Sequence, residues 1–230
     1  IGLSGQLPFV VQSPAAVRVR LPSSPLFDGA YQEGERANVS FWVPAVLRLG
    51  VEARPIPELR VEAAYVREFW SAHDSIRITP ENILLYDIRG LPSPFAVSPI
   101  NLVRNFKDTH SFRLGAQYQF PVAGYPVEAR AGLYYEPSAI PSAYLTPLTT
   151  DVDKLSVSLG AGLYVGKNWR FDITYAHVFS DPVTVSPYEA AVPRVTPVQG
   201  NAVDSPAVNG GTYTVTAGVL GVGLQYKFGG

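Results

Sequence analysis

From Phe41 onward the chain repeats one pattern, an apolar residue followed by a polar or small one, over stretches of roughly ten residues. Residues Phe41 to Arg54 put Phe41, Val43, Ala45, Leu47, Leu49, Val51 and Ala53 on one face, and Arg48, Gly50, Glu52 and Arg54 on the other. The alternation returns at Leu59–Phe69, His110–Phe120, Pro126–Glu136, Lys154–Val165, Arg170–Phe179 and Tyr213–Phe228. A period of two belongs to a strand, whose side chains point to its two faces in turn. A further, shorter strand is expected near the start, with Val17, Val19 and Leu21 against Arg18 and Arg20. The last strand slips phase between Gly218 and Gly221, where a bulge is expected.

Alternation alone fits a soluble β-sandwich as well as a membrane barrel. The connections separate the two. Short turns are expected at Arg54–Glu58, Pro121–Tyr125 and Gly166–Trp169, and long loops at Ser71–Thr109, Pro137–Asp153 and Ser180–Thr212. Short periplasmic turns alternating with long extracellular loops are the rhythm of an outer-membrane barrel. That orientation also sorts the rings. Phe41, Phe69, Phe112, Tyr135, Phe179 and Tyr213 fall at the extracellular strand ends; Tyr118, Phe120, Phe171, Tyr226 and Phe228 fall at the periplasmic ends. Two aromatic girdles around an aliphatic band describe a lipid-facing surface. The opposite face carries charges of both signs, which a lumen tolerates. There Glu128 and Arg130 are expected to meet Arg113 or Lys154 on neighbouring strands. Lipid cannot satisfy a sheet edge, so about eight strands close only as a narrow, filled barrel or belong to a larger one.

Composition narrows the classes. Charged residues are 16% of the 230, below the roughly 25% of soluble domains, while 13 Tyr and 11 Phe favour strands. The absence of Cys and Met removes disulfides and thiolate metal sites. Net charge is −1, and the segments Arg18–Arg20 and Arg54–Arg60 are too short for a nucleic-acid stripe. The longest uncharged run, Ser205 to Tyr226, is rich in Gly, Thr and Val and reads as strand rather than membrane helix. The chain opens at Ile1 without a secretory leader, as expected of a mature chain or a fragment.

Several short runs resemble the long-chain fatty-acid outer-membrane transporter (FadL/TodX-like) family, which also contains toluene and xylene channels. They are Phe106-Lys107-Asp108 with Phe112, Leu114-Gly115 and Tyr118; Glu58-Leu59-Arg60 with Tyr65 and Trp70-Ser71; Gly132-Leu133 through Pro137, Pro141 and Asp151-Val152-Asp153; and Gly223 through Phe228. The resemblance implies an all-β antiparallel transmembrane barrel of about fourteen strands, of which this chain is the C-terminal part. An N-terminal hatch and the early strands would precede Ile1. It implies passive uptake of long-chain fatty acids or other hydrophobic compounds, with no reaction and no bound cofactor. A monomer in the outer membrane is expected. Gly223, Tyr226 and Phe228 resemble the signal read by the barrel-assembly machinery, although Gly229 and Gly230 follow it.

A fatty acid needs a cation for its carboxylate and a lined groove for its tail. Near the Phe-Lys-Asp segment the cations are Arg104 and Lys107, and the neighbouring apolar residues include Leu85, Phe95 and Phe106. The apolar loop Pro80–Val103 suits either an entrance for a greasy substrate or packing on the barrel rim. Asp151 and Asp153 lack the further oxygens calcium requires and read as a solvated loop. His73, His110 and His177 lack metal-ligand spacing. Gly2-Leu3-Ser4-Gly5 is not a nucleophile elbow. Alternative functions are a general porin or structural barrel and, in another class, a soluble β-sandwich adhesin.

Overall fold

The computed structural model describes residues 1–194 and 206–228. Gly229, Gly230 and residues 195–205 of the last long connection lie outside the described residues. The described chain is all β, with three single-turn 3-10 segments and no α-helix. Its strands are β1 (Gly2–Gln6), β2 (Phe9–Ala16), β3 (Tyr31–Glu33), β4 (Arg36–Val43), β5 (Val46–Ile56), β6 (Leu59–Glu68), β7 (Ser75–Pro80), β8 (Leu84–Tyr86), β9 (Phe95–Ala96), β10 (Ile100–Val103), β11 (Thr109–Val122), β12 (Tyr125–Glu136), β13 (Lys154–Val165), β14 (Trp169–Phe179), β15 (Val183–Val185), β16 (Gly211–Tyr213) and β17 (Ala217–Tyr226).

The main sheet is an antiparallel wall of eight strands in the order β1-β5-β6-β11-β12-β13-β14-β17. From β5 onward its members run 10 to 14 residues, enough for tilted strands to cross a bilayer. Its faces are inverted relative to a soluble protein. Leu159 is 63% exposed and Ile173 52%, whereas Glu128 is 2% exposed. On β12, Ala129, Ala131, Leu133 and Tyr135 are open while Arg130, Gly132, Tyr134 and Glu136 between them are half-buried. The aliphatic belt is therefore not the filling of a sandwich, and the adhesin reading falls with it. The wall does not close: β1 and β17 are its edges among the described residues.

Three hairpin connections between neighbouring wall strands are tight, Pro57–Glu58, Ala123–Gly124 and Gly166–Asn168. Ala123 and Gly124 both have positive φ, 52° and 83°, the two-residue turn whose twist matches antiparallel strands. All three lie at the end expected to be periplasmic.

At the other end the wall continues in a second sheet of order β10-β7-β4-β2. Each of its strands extends one of the wall: β2 follows β1, β4 leads into β5, β7 follows β6 and β10 leads into β11. The strand order is the same in both sheets, so four neighbouring strands break and resume along one seam. Leu7-Pro8 and Pro44-Ala45 interrupt two of them; proline has no N–H to give a ladder and is excluded from central pairing. Above the seam, β3, β8 and β9 form a small cap. Its core is Ile83, Leu85, Ile88 and Val97, packed by Val17, Val19, Leu21, Phe27, Leu91 and Phe95.

Several expectations are corrected here. The segment Phe41–Arg54 is not one strand; Pro44 divides it between β4 and β5. Val17–Leu21 is not a strand, because Val17, Val19 and Leu21 pack into the cap, and the eighth wall strand is β1. Tyr213–Phe228 divides into β16 and β17, and β17 pairs with β14 in unbroken register from Ala217 to Tyr226. Gly218–Gly221 lies inside that continuous pairing, so no bulge forms there; the one irregularity in the β5–β6 pairing lies between Ala53 and Ile56. Phe41 and Tyr213 consequently leave the extracellular girdle. Phe41 stands edge-on to His73, and the Tyr213 hydroxyl donates to the Asn209 carbonyl at 2.8 Å and lies 3.1 Å from that of Leu145.

Candidate functional site

Two groupings of polar side chains are built by this fold, one on the inner face of the wall and one at the seam. On the inner face, alternation brings Glu128, Arg130, Tyr164, Arg170 and Asp172 together from β12, β13 and β14. Glu128 Oε2 accepts from Arg130 Nη2 and Arg170 Nη2, both at 2.9 Å. Its Oε1 accepts from Tyr164 Oη at 2.6 Å and Gln119 Nε2 at 2.9 Å. Asp172 closes the group by accepting from Arg170 Nε at 2.9 Å and from Arg130. Two carboxylates and two guanidiniums balance. Glu128 therefore does not meet Arg113 or Lys154. Those two converge on Glu136, Lys154 at 3.0 Å and Arg113 at 3.8 Å. Arg130 and Lys154 lie on adjacent strands but face Gly160 and Glu136 respectively across the ladder, and that register decides the pairing.

Glycines make room for this layer. A Cβ on Gly162 would lie 2.6 Å from Arg130 Nη2 and 3.0 Å from Asp172 Oδ1. Similar contacts arise at Gly132 with Ser158 Oγ and at Gly160 with Thr174 Oγ1. The polar side chains lie down over the glycine backbone and keep the inner face shallow. Toward β6, Arg60 bridges Glu52 at 2.8 Å and Glu62 at 2.9 Å. It compensates two acids that face each other across β5 and β6. The inner face is polar, and in these two groups its charges pair with one another, which suits a wetted lumen.

At the seam, His73 is buried among Phe41, Trp70 and Phe106, with ring centroids at 5.6, 6.1 and 4.9 Å. Its Nδ1 lies 2.7 Å from the Trp42 carbonyl oxygen. A carbonyl only accepts, so Nδ1 carries the proton there. Asp108 accepts from the Ser71 N–H at 3.1 Å and from Arg67 at 3.4 Å. These bonds hold its carboxyl below the usual range, with the Ser71 contacts as the largest cause.

The sequence-derived site residues fall in two places. Leu85 and Phe95 pair across β8 and β9 inside the cap, where Leu85 is fully buried. Arg104, Phe106 and Lys107 lie on the segment between β10 and β11, beside the seam. Phe106 joins the His73 cluster, and also packs on Ile140, Leu145 and Val185. Lys107 is exposed, held by its backbone N–H to the Ala139 carbonyl. Arg104 is half-buried. Nη1 donates to Thr149 Oγ1 at 3.2 Å, Nε is buried without a partner, and no carboxylate pairs with it among the described residues. Burial lowers the pKa of this guanidinium. Trp70 and His73 were not legible as site residues, because their approach to Phe106 depends on the seam. Asp151 and Asp153 are spent on structure: they accept from the Ala139 and Ser138 N–H groups at 2.9 and 2.7 Å. Among the described residues no His, Asp or Glu cluster could hold a metal.

With this geometry in place, comparison with known proteins is decisive. The family model described as outer membrane protein transport protein (OMPP1/FadL/TodX) matches residues 12–228. The chain belongs to this family. The FadL/TodX assignment places it in the bacterial outer membrane as part of a transmembrane β-barrel. A Pseudomonas aeruginosa FadL homologue of known crystal structure shares the fold with TM-score 0.63 at 17% identity, over 83% of this chain and 37% of its own. A candidate outer membrane protein of Neisseria meningitidis serogroup B is 26% identical over 125 residues, 54% of this chain and 24% of its own length. The chain thus spans roughly a quarter to somewhat over a third of the relatives it matches.

Proposed function

We propose that this chain forms the wall and outer mouth of a channel for passive uptake of long-chain fatty acids or other hydrophobic compounds. The observation that carries the reading is the half-buried Arg104, a cation without a carboxylate partner among the described residues, on the segment that also carries the ringed Phe106. A ligand carboxylate would take the place its own acids leave open, with Lys107 as a second, exposed cation. The tail would lie along Phe106 and Trp70, with Phe95 and the buried Leu85 forming the packed cap beside the entrance. Family membership supports transport across the outer membrane.

The open edges at β1 and β17 support a larger barrel, since bare strand edges are not stable in lipid. We propose that further strands and a hatch complete it, as a monomer. Gly223, Tyr226 and Phe228 at the short-turn end would be read by the barrel-assembly machinery. The charged inner face favours a second reading, a general porin. Proteoliposomes of the full-length protein should take up oleate and not small sugars; equal flux of both would establish the porin instead. The double substitution Arg104→Ala with Lys107→Ala should weaken oleate binding about tenfold or more, from the loss of charge-assisted hydrogen bonds. Unchanged affinity removes the site.

A further inference from the structure

Among the described residues the outer face of the wall is nearly free of charge, and its one exception points to a ligand. Following the ladder, the outward residues are those that pair with the aliphatic belt, such as Leu47, Tyr65, Phe112, Leu133, Leu159, Ile173 and Val222. Among the described paired residues of the eight strands, one outward side chain carries a fixed charge, Arg67 on β6. It faces His110 across β11 and Leu47 across β5. It stands just beyond the girdle ring Tyr65, which packs on Phe112 at 5.4 Å and bonds His110 Nδ1 through its hydroxyl. Aromatic girdles mark the headgroup level of a bilayer, so this guanidinium lies where lipid phosphates lie.

The guanidinium is under-used by the protein. Nε is buried without a partner and closed to a ligand; of the four Nη protons only one on Nη2 has an acceptor, Asp108 Oδ2 at the long distance of 3.4 Å, which leaves the Nη edge of the fork free. The Phe69 ring stacks beneath it at 4.9 Å, which fixes its plane without consuming donors. A planar fork with free donors matches a phosphate. We propose that Arg67, flanked by His110 and Tyr65, binds the phosphate of an outer-leaflet lipid on the outside of the barrel. The guanidinium stands on the outer face, apart from Arg104 and Phe106 of the substrate path proposed above, while Asp108 also accepts from the Ser71 N–H beside Trp70. Asp108 is its competitor: its carboxylate takes part of the guanidinium and repels the phosphate.

The test is native mass spectrometry of the full-length protein in detergent, titrated with diphosphoryl lipid A, its dephosphorylated counterpart, or inorganic phosphate. The wild type should retain the phosphorylated lipid, and Arg67→Gln should weaken retention about fivefold, the worth of one basic residue at a lipid surface. Arg67→Lys should restore part of the loss, and Asp108→Asn should tighten retention. Equal retention of the dephosphorylated lipid, or no loss in Arg67→Gln, overturns the proposal. Displacement by equimolar inorganic phosphate overturns it as a lipid site and leaves only an ion site. Should Arg67→Gln fail to fold, Asp108→Asn decides alone, and unchanged retention there is a refutation.

Discussion

Replacing Glu128 by Ala should be among the most destabilising single changes in this wall. The side chain is 2% exposed and its two oxygens accept hydrogen bonds from four residues: Gln119, Tyr164, Arg130 and Arg170. Removing it leaves Asp172 alone to neutralise two guanidiniums whose side chains are 27% and 28% exposed. Bonds to charged partners contribute about 1.5–3 kcal/mol each and neutral ones about 1 kcal/mol, but a network is not additive. Breaking one member of a buried ion cluster costs about 3–5 kcal/mol. Some water reaches both arginines, which sets the expectation at about 3 kcal/mol, the lower end of that range. Glu128→Gln keeps the shape and one acceptor while losing the charge, so its loss should fall between those of the wild type and Glu128→Ala. The assay is urea unfolding of the full-length protein in micelles, read by the mobility difference between folded and heat-denatured barrel. If both variants stay within about 1 kcal/mol of wild type, less than one charged hydrogen bond, the cluster is solvated and the argument for a structural inner layer is wrong.

Other consequences can be measured in the same way. Leu133→Arg, on the lipid face, should cost about 2–4 kcal/mol, whereas the neighbouring inward change Ser158→Arg should cost far less; equal or reversed costs would contradict this assignment of the faces. Gly162→Ala should unfold at lower urea than Gly132→Ala, because the first collides with a paired guanidinium and the second with a lone Ser158 hydroxyl that can rotate away. The depressed Asp108 carboxyl binds its proton less readily in the folded state than in the unfolded chain. Its contribution is therefore complete above the ordinary carboxylate pKa of about 4 and is lost as pH falls through the lower folded value. The stability gap between wild type and Asp108→Asn should shrink on acidification through that window; a gap that is constant with pH would contradict it.

What the sequence alone determined was local. Alternation assigned Leu133, Leu159 and Ile173 to one face and Glu128, Arg130 and Asp172 to the other, because a strand's period of two requires nothing beyond the strand itself. The tight turn at Ala123–Gly124 and the unequal connections were equally legible, since glycine and short spacing act within a few residues. Tertiary structure decided which strands are neighbours and in what register. Register makes Arg170 rather than Lys154 the partner of Glu128, and it gathers Trp70, His73 and Phe106 at the seam. It also set the length over which a pattern stays in one sheet: Phe41 and Leu47 share an alternation but belong to different layers, because Pro44 cannot donate to the ladder. Periodicity reports which way a side chain points, while pairing energy between distant segments decides what it meets there, and only the folded wall brings those segments together.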